Sequence, residues 1–328
     1  MYLLVGNSSK YILKKKLGTG ITCTCYLGQK LSSSSKIDSE PVAIKILKIE
    51  YQKYFENEIK IVTQMASYDN IVKLYENGKG YLIPITETQE LKNIEEGNND
   101  EKQVILYEVM EYAVNGELKD YVQDNSTRIP EHISAKIFLE LALTLKNLHC
   151  KKIAHGDIKP ENVFLGKNFK ILLGDFGFSH MFDPSEKDFI LHRFVGSEIY
   201  CGPETRKAYT KGFNAMLNDI FSLGVLLFVI TIGEFPFLVS NFSDERYKNI
   251  INGSYDSFWK YYDHIELSDE FKDLIVNLIN NNPSKRLSLD EVIDHPWLKK
   301  YINRNTNNKT DTNLIDEDVI KELSSRKI

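Results

Sequence analysis

At 328 residues the chain is about twice the usual single-domain length, enough to bury one large core or two adjoining ones. Its hydrophobic share of 42% and charged share of 27% exclude a fibrous or disordered chain, and a net charge of −5 gives no reason to expect nucleic acid or an acidic membrane as the main partner. Cys23, Cys25, Cys150 and Cys201 lack the spacing of a zinc site or a disulfide framework, and MYLLVGNSSK lacks the basic start and continuous apolar segment of a secretory leader. Reduced thiols in an intracellular, cytoplasmic compartment are therefore expected. The longest apolar run, Ile220 to Gly233, is shorter than the roughly 20 residues that span a bilayer and suits a buried helix, so no membrane span is expected.

In chain order, Tyr11 to Lys30 and Pro41 to Lys48 read as strands, β-branched and aromatic residues being interrupted by Gly18, Gly20 and Gly28. Ser32 to Ser35 reads as a polar turn between them. From Tyr51 to Met65, apolar Phe55, Ile59, Val62 and Met65 recur at roughly helical spacing. Ile71 to Tyr75 and Val104 to Met110 read as further strands. The piece between them, above all 86–101, is polar, charged and longer than a hairpin connection, which predicts a mobile insertion.

Ile133 to His149 has the apolar pattern of an amphipathic helix and leads into HGDIKPEN, His155 to Asn162, followed by apolar Val163-Phe164-Leu165. Pro160 argues that this octapeptide is a loop. It brings an acid (Asp157), an ammonium (Lys159) and an amide (Asn162) within reach of one point. Phosphoryl transfer needs a base near the accepting hydroxyl, positive charge on the moving group and oxygen ligands for magnesium, and the stretch supplies one of each. Ile171 to Asp175 reads as a short strand ending in Asp175-Phe176-Gly177, 18 residues after Asp157. After Asn303 comes a polar linker, then LIDEDVIKELSSRKI, where Ile315, Val319 and Leu323 recur at four-residue spacing behind an acidic first turn. That pattern predicts a short helix packed on the preceding domain.

HGDIKPEN has the order of the protein-kinase catalytic loop, HRD then four residues then Asn, and from it the chain resembles a eukaryotic Ser/Thr protein kinase from about Tyr11 to Tyr301. Phe178-Ser179 and His295-Pro296-Trp297-Leu298 lean toward the calcium/calmodulin-dependent and AMP-activated kinase group. The resemblance implies an α+β, bilobal kinase fold: an N-terminal extension 1–10, a kinase domain 11–301 (small antiparallel-sheet lobe 11–110, hinge 111–116, mainly helical large lobe 117–301), and a linker with short helix over 302–328. It implies ATP and Mg2+ as cofactors. Asp157 would accept the substrate hydroxyl proton, Lys159 contact the γ-phosphate, and Asn162 and Asp175 bind magnesium. Lys45, in Val42-Ala43-Ile44-Lys45, would pair with the α- and β-phosphates and be oriented by Glu58, with Glu56 as the alternative. Leu17, Gly18, Gly20 and Cys25 would cover the nucleotide, Ala43 and the gatekeeper Met110 flank it, and the hinge residues Glu111, Tyr112 and Ala113 meet adenine. His155 and Asp219 would be structural, and Glu204 would pair with Arg286.

Glu117, at a position that contacts ribose and a substrate arginine in basophilic members, and Glu161 imply protein substrates with basic residues before the acceptor. Phe178 implies serine over threonine. The C-terminal helix faintly resembles the start of a regulatory segment, so a regulatory partner could act through it; no EF-hand loop occurs in the sequence.

Two positions depart from the pattern. Gly156 replaces the HRD arginine that grips an activation-loop phosphate, and Arg193 stands where the phosphoacceptor usually sits, three residues before Gly196. Both halves of the switch are missing together, so activity independent of phosphorylation of this loop is expected, with Arg193 paired to an acid. Cys23 replaces the third glycine of LGTGITCTC, and Cys25 the usual valine. Because no catalytic group is lost, the sequence favours an enzyme over its rival, a nucleotide-binding pseudokinase that acts as a scaffold.

Overall fold

The computed structural model describes residues 1–32, 37–85, 102–122, 128–302 and 314–326, with backbone only for 37–39. The expected insertion 86–101, most of the Ser32 to Ser35 turn and the polar linker therefore lie outside the described residues. The chain divides into two compact units, Met1–Val114 and Asn115–Ile328, and the division falls inside the predicted hinge 111–116.

The first unit is an antiparallel sheet with one helix against it. Its elements are β1 (Tyr2–Val5), β2 (Lys10–Thr19), β3 (Cys23–Leu31), β4 (Ile37–Leu47), α1 (Gln52–Gln64), β5 (Leu74–Pro84) and β6 (Gln103–Glu111). The sheet order is β1-β2-β3-β4-β6-β5, and β1 pairs with both β2 and β5. The stretch read as an extension, 1–10, thus supplies a strand of the sheet, because Leu3 and Leu4 alternate into two separate cores. Strand alternation splits the central strands in the same way. Val42, Ile44 and Ile46 of β4 pack with Ile105, Tyr107 and Val109 of β6 on one face, while Leu47 and Leu106 pack with Phe55 of α1 on the other.

β5 differs from the sequence expectation: it starts at Leu74 rather than Ile71 and runs to Pro84, into the piece read as part of a polar insertion. Gly80 belongs there because a β-carbon would lie 2.7 Å from the Val5 carbonyl oxygen and 3.1 Å from the Tyr107 ring. A glycine inside a strand here marks close backbone approach.

The second unit is mainly helical. It contains α2 (Glu131–Cys150), the short strands β7 (Ile153–Ala154), β8 (Val163–Leu165), β9 (Ile171–Leu173), β10 (His180–Met181), β11 (Ile190–Leu191) and β12 (Phe213–Asn214), and α3 (Ala215–Ile232). After these come α4 (Glu245–Ile251), α5 (Tyr255–Trp259), α6 (Asp269–Leu278), α7 (Leu289–Ile293), α8 (Pro296–Tyr301) and α9 (Glu317–Arg326). The strands form two-stranded pairs, β7 with β10, β8 with β9 and β11 with β12.

The apolar run expected at Ile220 to Gly233 begins five residues earlier, at Ala215, where the Asn214 side chain caps the helix by accepting from the Leu217 N–H at 2.9 Å. Gly233 ends it with φ 83°, the left-handed conformation that closes many helices. At 18 residues α3 is long and apolar enough to cross a membrane, which corrects the sequence estimate of its length, but nearly all of it is buried inside the second unit. α2 packs against α3, α7, α8 and α9.

Candidate active site

In the first unit, the sheet register collects the predicted nucleotide residues on one face. Gly18 lies opposite Cys25, Cys25 opposite Lys45, and Ala43 opposite Met110. Gly20 closes the β2–β3 hairpin, its N–H donating to the Cys23 carbonyl at 2.9 Å, and the space where a side chain on Gly18 would project is open. Leu17 is exposed beside it. Lys45 is buried, and its Nζ donates to both Glu58 oxygens at 2.7 Å. α1 has presented Glu58 rather than Glu56 because Glu56 falls on the exposed face, where it accepts from Gln52 Nε2 at 2.6 Å. Glu111 ends β6, its N–H donating to the Lys73 carbonyl at 2.8 Å, and Ala113 follows outside the strand.

In the second unit, α3 organises the loop. Asp219, fully buried, accepts from the backbone N–H groups of His155 and Gly156, each at 2.8 Å, and lies 3.0 Å from His149 Nε2. His155 is also fully buried. Its Nδ1 accepts from the Asp157 N–H at 3.3 Å, its Nε2 lies 3.1 Å from the Gly174 carbonyl oxygen, and its ring packs on Phe176 with centroids 5.0 Å apart. It is a packing residue.

These supports fix Asp157. Its Oδ2 is held by Lys159 Nζ at 2.7 Å and by Asn162 Nδ2 at 3.0 Å. Its Oδ1 is buried with no hydrogen-bond partner among the described residues. A buried carboxylate oxygen without a donor is costly, and an incoming hydroxyl would satisfy it. Lys159 also donates to Ser197 Oγ at 2.8 Å.

Asn162 and Asp175 are brought near each other by the β8–β9 pair, in which Val163 opposes Leu173 and the Gly174 N–H donates to the Asn162 carbonyl at 3.0 Å. Asp175 is exposed and left-handed at φ 57°, a backbone state that costs about 1–3 kcal/mol and collects at functional sites. An amide oxygen and a carboxylate are hard donors of the kind magnesium takes when phosphates complete its shell. This donor chemistry fits magnesium held together with phosphate oxygens.

The two departures have structural counterparts. Gly156 is left-handed at φ 81°, and a β-carbon there would lie 2.8 Å from the Phe178 carbonyl oxygen. Gly196 is left-handed at φ 88°, and a β-carbon on it would fall on the Gly156 carbonyl. Arg193 does not take the expected acidic partner: no carboxylate lies within ion-pair distance of it among the described residues. Instead it neighbours His180, which burial, and then the Arg193 charge, hold below the usual histidine range. Glu204 is gripped by Arg286 at 2.5 and 2.8 Å. Glu117 pairs with Lys119 at 2.8 Å, whereas Glu161 has a buried Oε2 with no hydrogen-bond partner among the described residues.

One buried acid on the Lys45 face escaped the sequence reading. Glu108 is 1% exposed and directly opposite Lys45. Its signal was an acid inside the otherwise apolar run VILYEVM.

The family model described as "Protein kinase domain" matches residues 11–298. The "Probable serine/threonine-protein kinase MARK-A" of Dictyostelium discoideum is 32% identical over 299 residues, covering 89% of this chain and 24% of that protein. "CBL-interacting protein kinase 10" of Oryza sativa subsp. japonica is 27% identical over 96% of this chain and 63% of its own length. "CBL-interacting serine/threonine-protein kinase 12" of Arabidopsis thaliana is 28% identical over 95% and 58%. The chain thus spans between 24% and 63% of the length of these curated relatives.

Proposed function

The chain belongs to the protein kinase domain family, and from that premise we propose that it is a Ser/Thr protein kinase transferring the γ-phosphoryl group of magnesium-ATP to protein hydroxyls. The reading rests above all on Asp157, whose one oxygen is clamped by Lys159 and Asn162 while the other is buried without a donor among the described residues. Magnesium-ATP, when bound, supplies the phosphoryl group and metal neutralisation of its charge. Asp157 Oδ1 accepts a hydrogen bond from the substrate hydroxyl and takes its proton as the oxygen attacks. Lys159 would meet the negative charge of the γ-phosphate, Asn162 and Asp175 would hold the metal, and Lys45, fixed by Glu58, would hold the α- and β-phosphates. Leu17, Gly18, Gly20, Cys25, Ala43, Met110, Glu111, Ala113 and Glu117 line the nucleotide.

Substrates carry basic residues before the acceptor: the buried Oε2 of Glu161, without a donor among the described residues, supports this, and Glu117 contributes by releasing Lys119. The activation segment works without its own phosphate, since Gly156 cannot supply the gripping arginine and Arg193 replaces the acceptor. A regulatory protein, as the names of the CBL-interacting relatives suggest, would act through α9 only by lifting it off α2.

Radiolabelled phosphate transfer to a serine peptide with upstream arginine tests the function. Wild type should label the peptide and Asp157→Ala should lose several orders of magnitude in kcat with ATP affinity nearly unchanged. Equal labelling by the two proteins would refute the assignment.

A further inference from the structure

Three charged side chains are buried among the described residues of the first unit: Lys45 at 6% exposure, Glu58 at 3% and Glu108 at 1%. Glu58 accounts for one of the two acids, since both its oxygens accept from the Lys45 ammonium. Glu108 faces the same group from the sheet. It stands directly opposite Lys45 in the β4–β6 pairing, and opposed residues of an antiparallel pair project to one side with β-carbons about 4.5–5.5 Å apart.

The side can be identified. Residues 44, 46, 107 and 109 point into the core on the far face, whereas Leu47 and Leu106 meet Phe55 of α1. Alternation then puts Lys45 and Glu108 on the α1 face with Glu58. A carboxyl group this deeply buried is disfavoured as an anion unless positive charge is near, and Lys45 is the buried cation of this unit among the described residues.

We propose that Glu108 is a second positioning residue for Lys45, holding the ammonium from the strand while Glu58 holds it from the helix. This rests on the reading of Lys45 as the nucleotide lysine. Strand anchoring has a consequence that helix anchoring lacks: Lys45 stays in place when Glu58 is lost, because β6 is fixed in the sheet.

The test uses the full chain without nucleotide, and then with it. An amine-reactive acetylating ester is applied at a fixed mildly alkaline pH, and the rate at Lys45 is followed by peptide mass spectrometry. Removing a neighbouring carboxylate lowers the basicity of the lysine, so Glu108→Gln should acetylate about tenfold faster, one pKa unit being a factor of ten. Glu108→Asp should return most of the way to the wild-type rate. In the kinase assay, Glu58→Gln combined with Glu108→Gln should raise KM for ATP at least about tenfold beyond the product of the single effects, since either acid alone suffices.

An unchanged acetylation rate in a Glu108→Gln protein with wild-type melting overturns the proposal, as do single effects that simply multiply. If Glu108→Gln does not fold, Glu108→Met gives the same readout, and a wild-type rate there overturns the proposal equally. The acetylation arm needs no catalysis, so a chain without kinase activity would sink the proposed function while still deciding the place of Glu108.

Discussion

At the scale of single residues, Asp157 stood out in the sequence because the residues proposed to act with it lie within five positions of it. Asp157, Lys159 and Asn162 need only a loop to meet, and Pro160 announces one. What the letters could not show is that one Asp157 oxygen is clamped while the other has no donor among the described residues. Gly156 was legible as a missing arginine but not as a conformational requirement. Its φ of 81° and the nearby Phe178 carbonyl predict that Gly156→Arg destabilises the second unit by about 1–3 kcal/mol, read as a lowered midpoint in denaturant melts. An unchanged midpoint would show that the backbone there is relaxed.

The thiols give a pH-dependent prediction. Burial, and then the negative charge of Asp157, push the Cys201 thiol up to about 12. Both causes disfavour the thiolate, so at pH 8 the group is protonated and inert. Iodoacetamide at pH 8 should modify exposed Cys150 and leave Cys201 untouched until the protein unfolds. Early labelling of Cys201 in mass spectra of the folded protein would contradict this.

At the scale of elements, helices were easier to read than strands. α1 and α2 repeat apolar residues over several turns, whereas β5 continues past Tyr75 through polar Glu76-Asn77-Gly78-Lys79-Gly80, where Gly80 allows close approach to the Val5 carbonyl. Glu108 was missed for a related reason: a strand pairing, not a spacing, puts it beside Lys45.

The C-terminal helix packs against α2. Val319 and Leu323 of α9 are fully buried, Lys136 of α2 donates to Asp316 at 2.5 Å, and Arg326 donates to the Arg128 carbonyl at 2.8 Å. Leu323→Ala should therefore cost about 2 kcal/mol or more of stability, measured in urea. Truncation at residue 302 should lower stability without raising kcat, and a gain in kcat would instead make α9 an inhibitory element.

At the scale of the molecule, the residues proposed to hold the nucleotide fall in two compact units, Met1–Val114 and Asn115–Ile328, a division that composition alone does not show. Phosphatase treatment should leave peptide phosphorylation intact, because the loop has neither the arginine nor the acceptor of the usual switch. Loss of activity, with the removed phosphate mapped by mass spectrometry between Asp175 and Ser197, would overturn that reading.

The grip of Asp219 on the His155 and Gly156 amides carries one more implication. Its carboxylate sits on a helix embedded on nearly all sides, so these two protons have no local route to solvent. In deuterated buffer they should be replaced only when the entire second unit opens, and their protection should equal its global unfolding free energy. Two amides in the catalytic loop then serve as a gauge of how firmly the surrounding helices hold together.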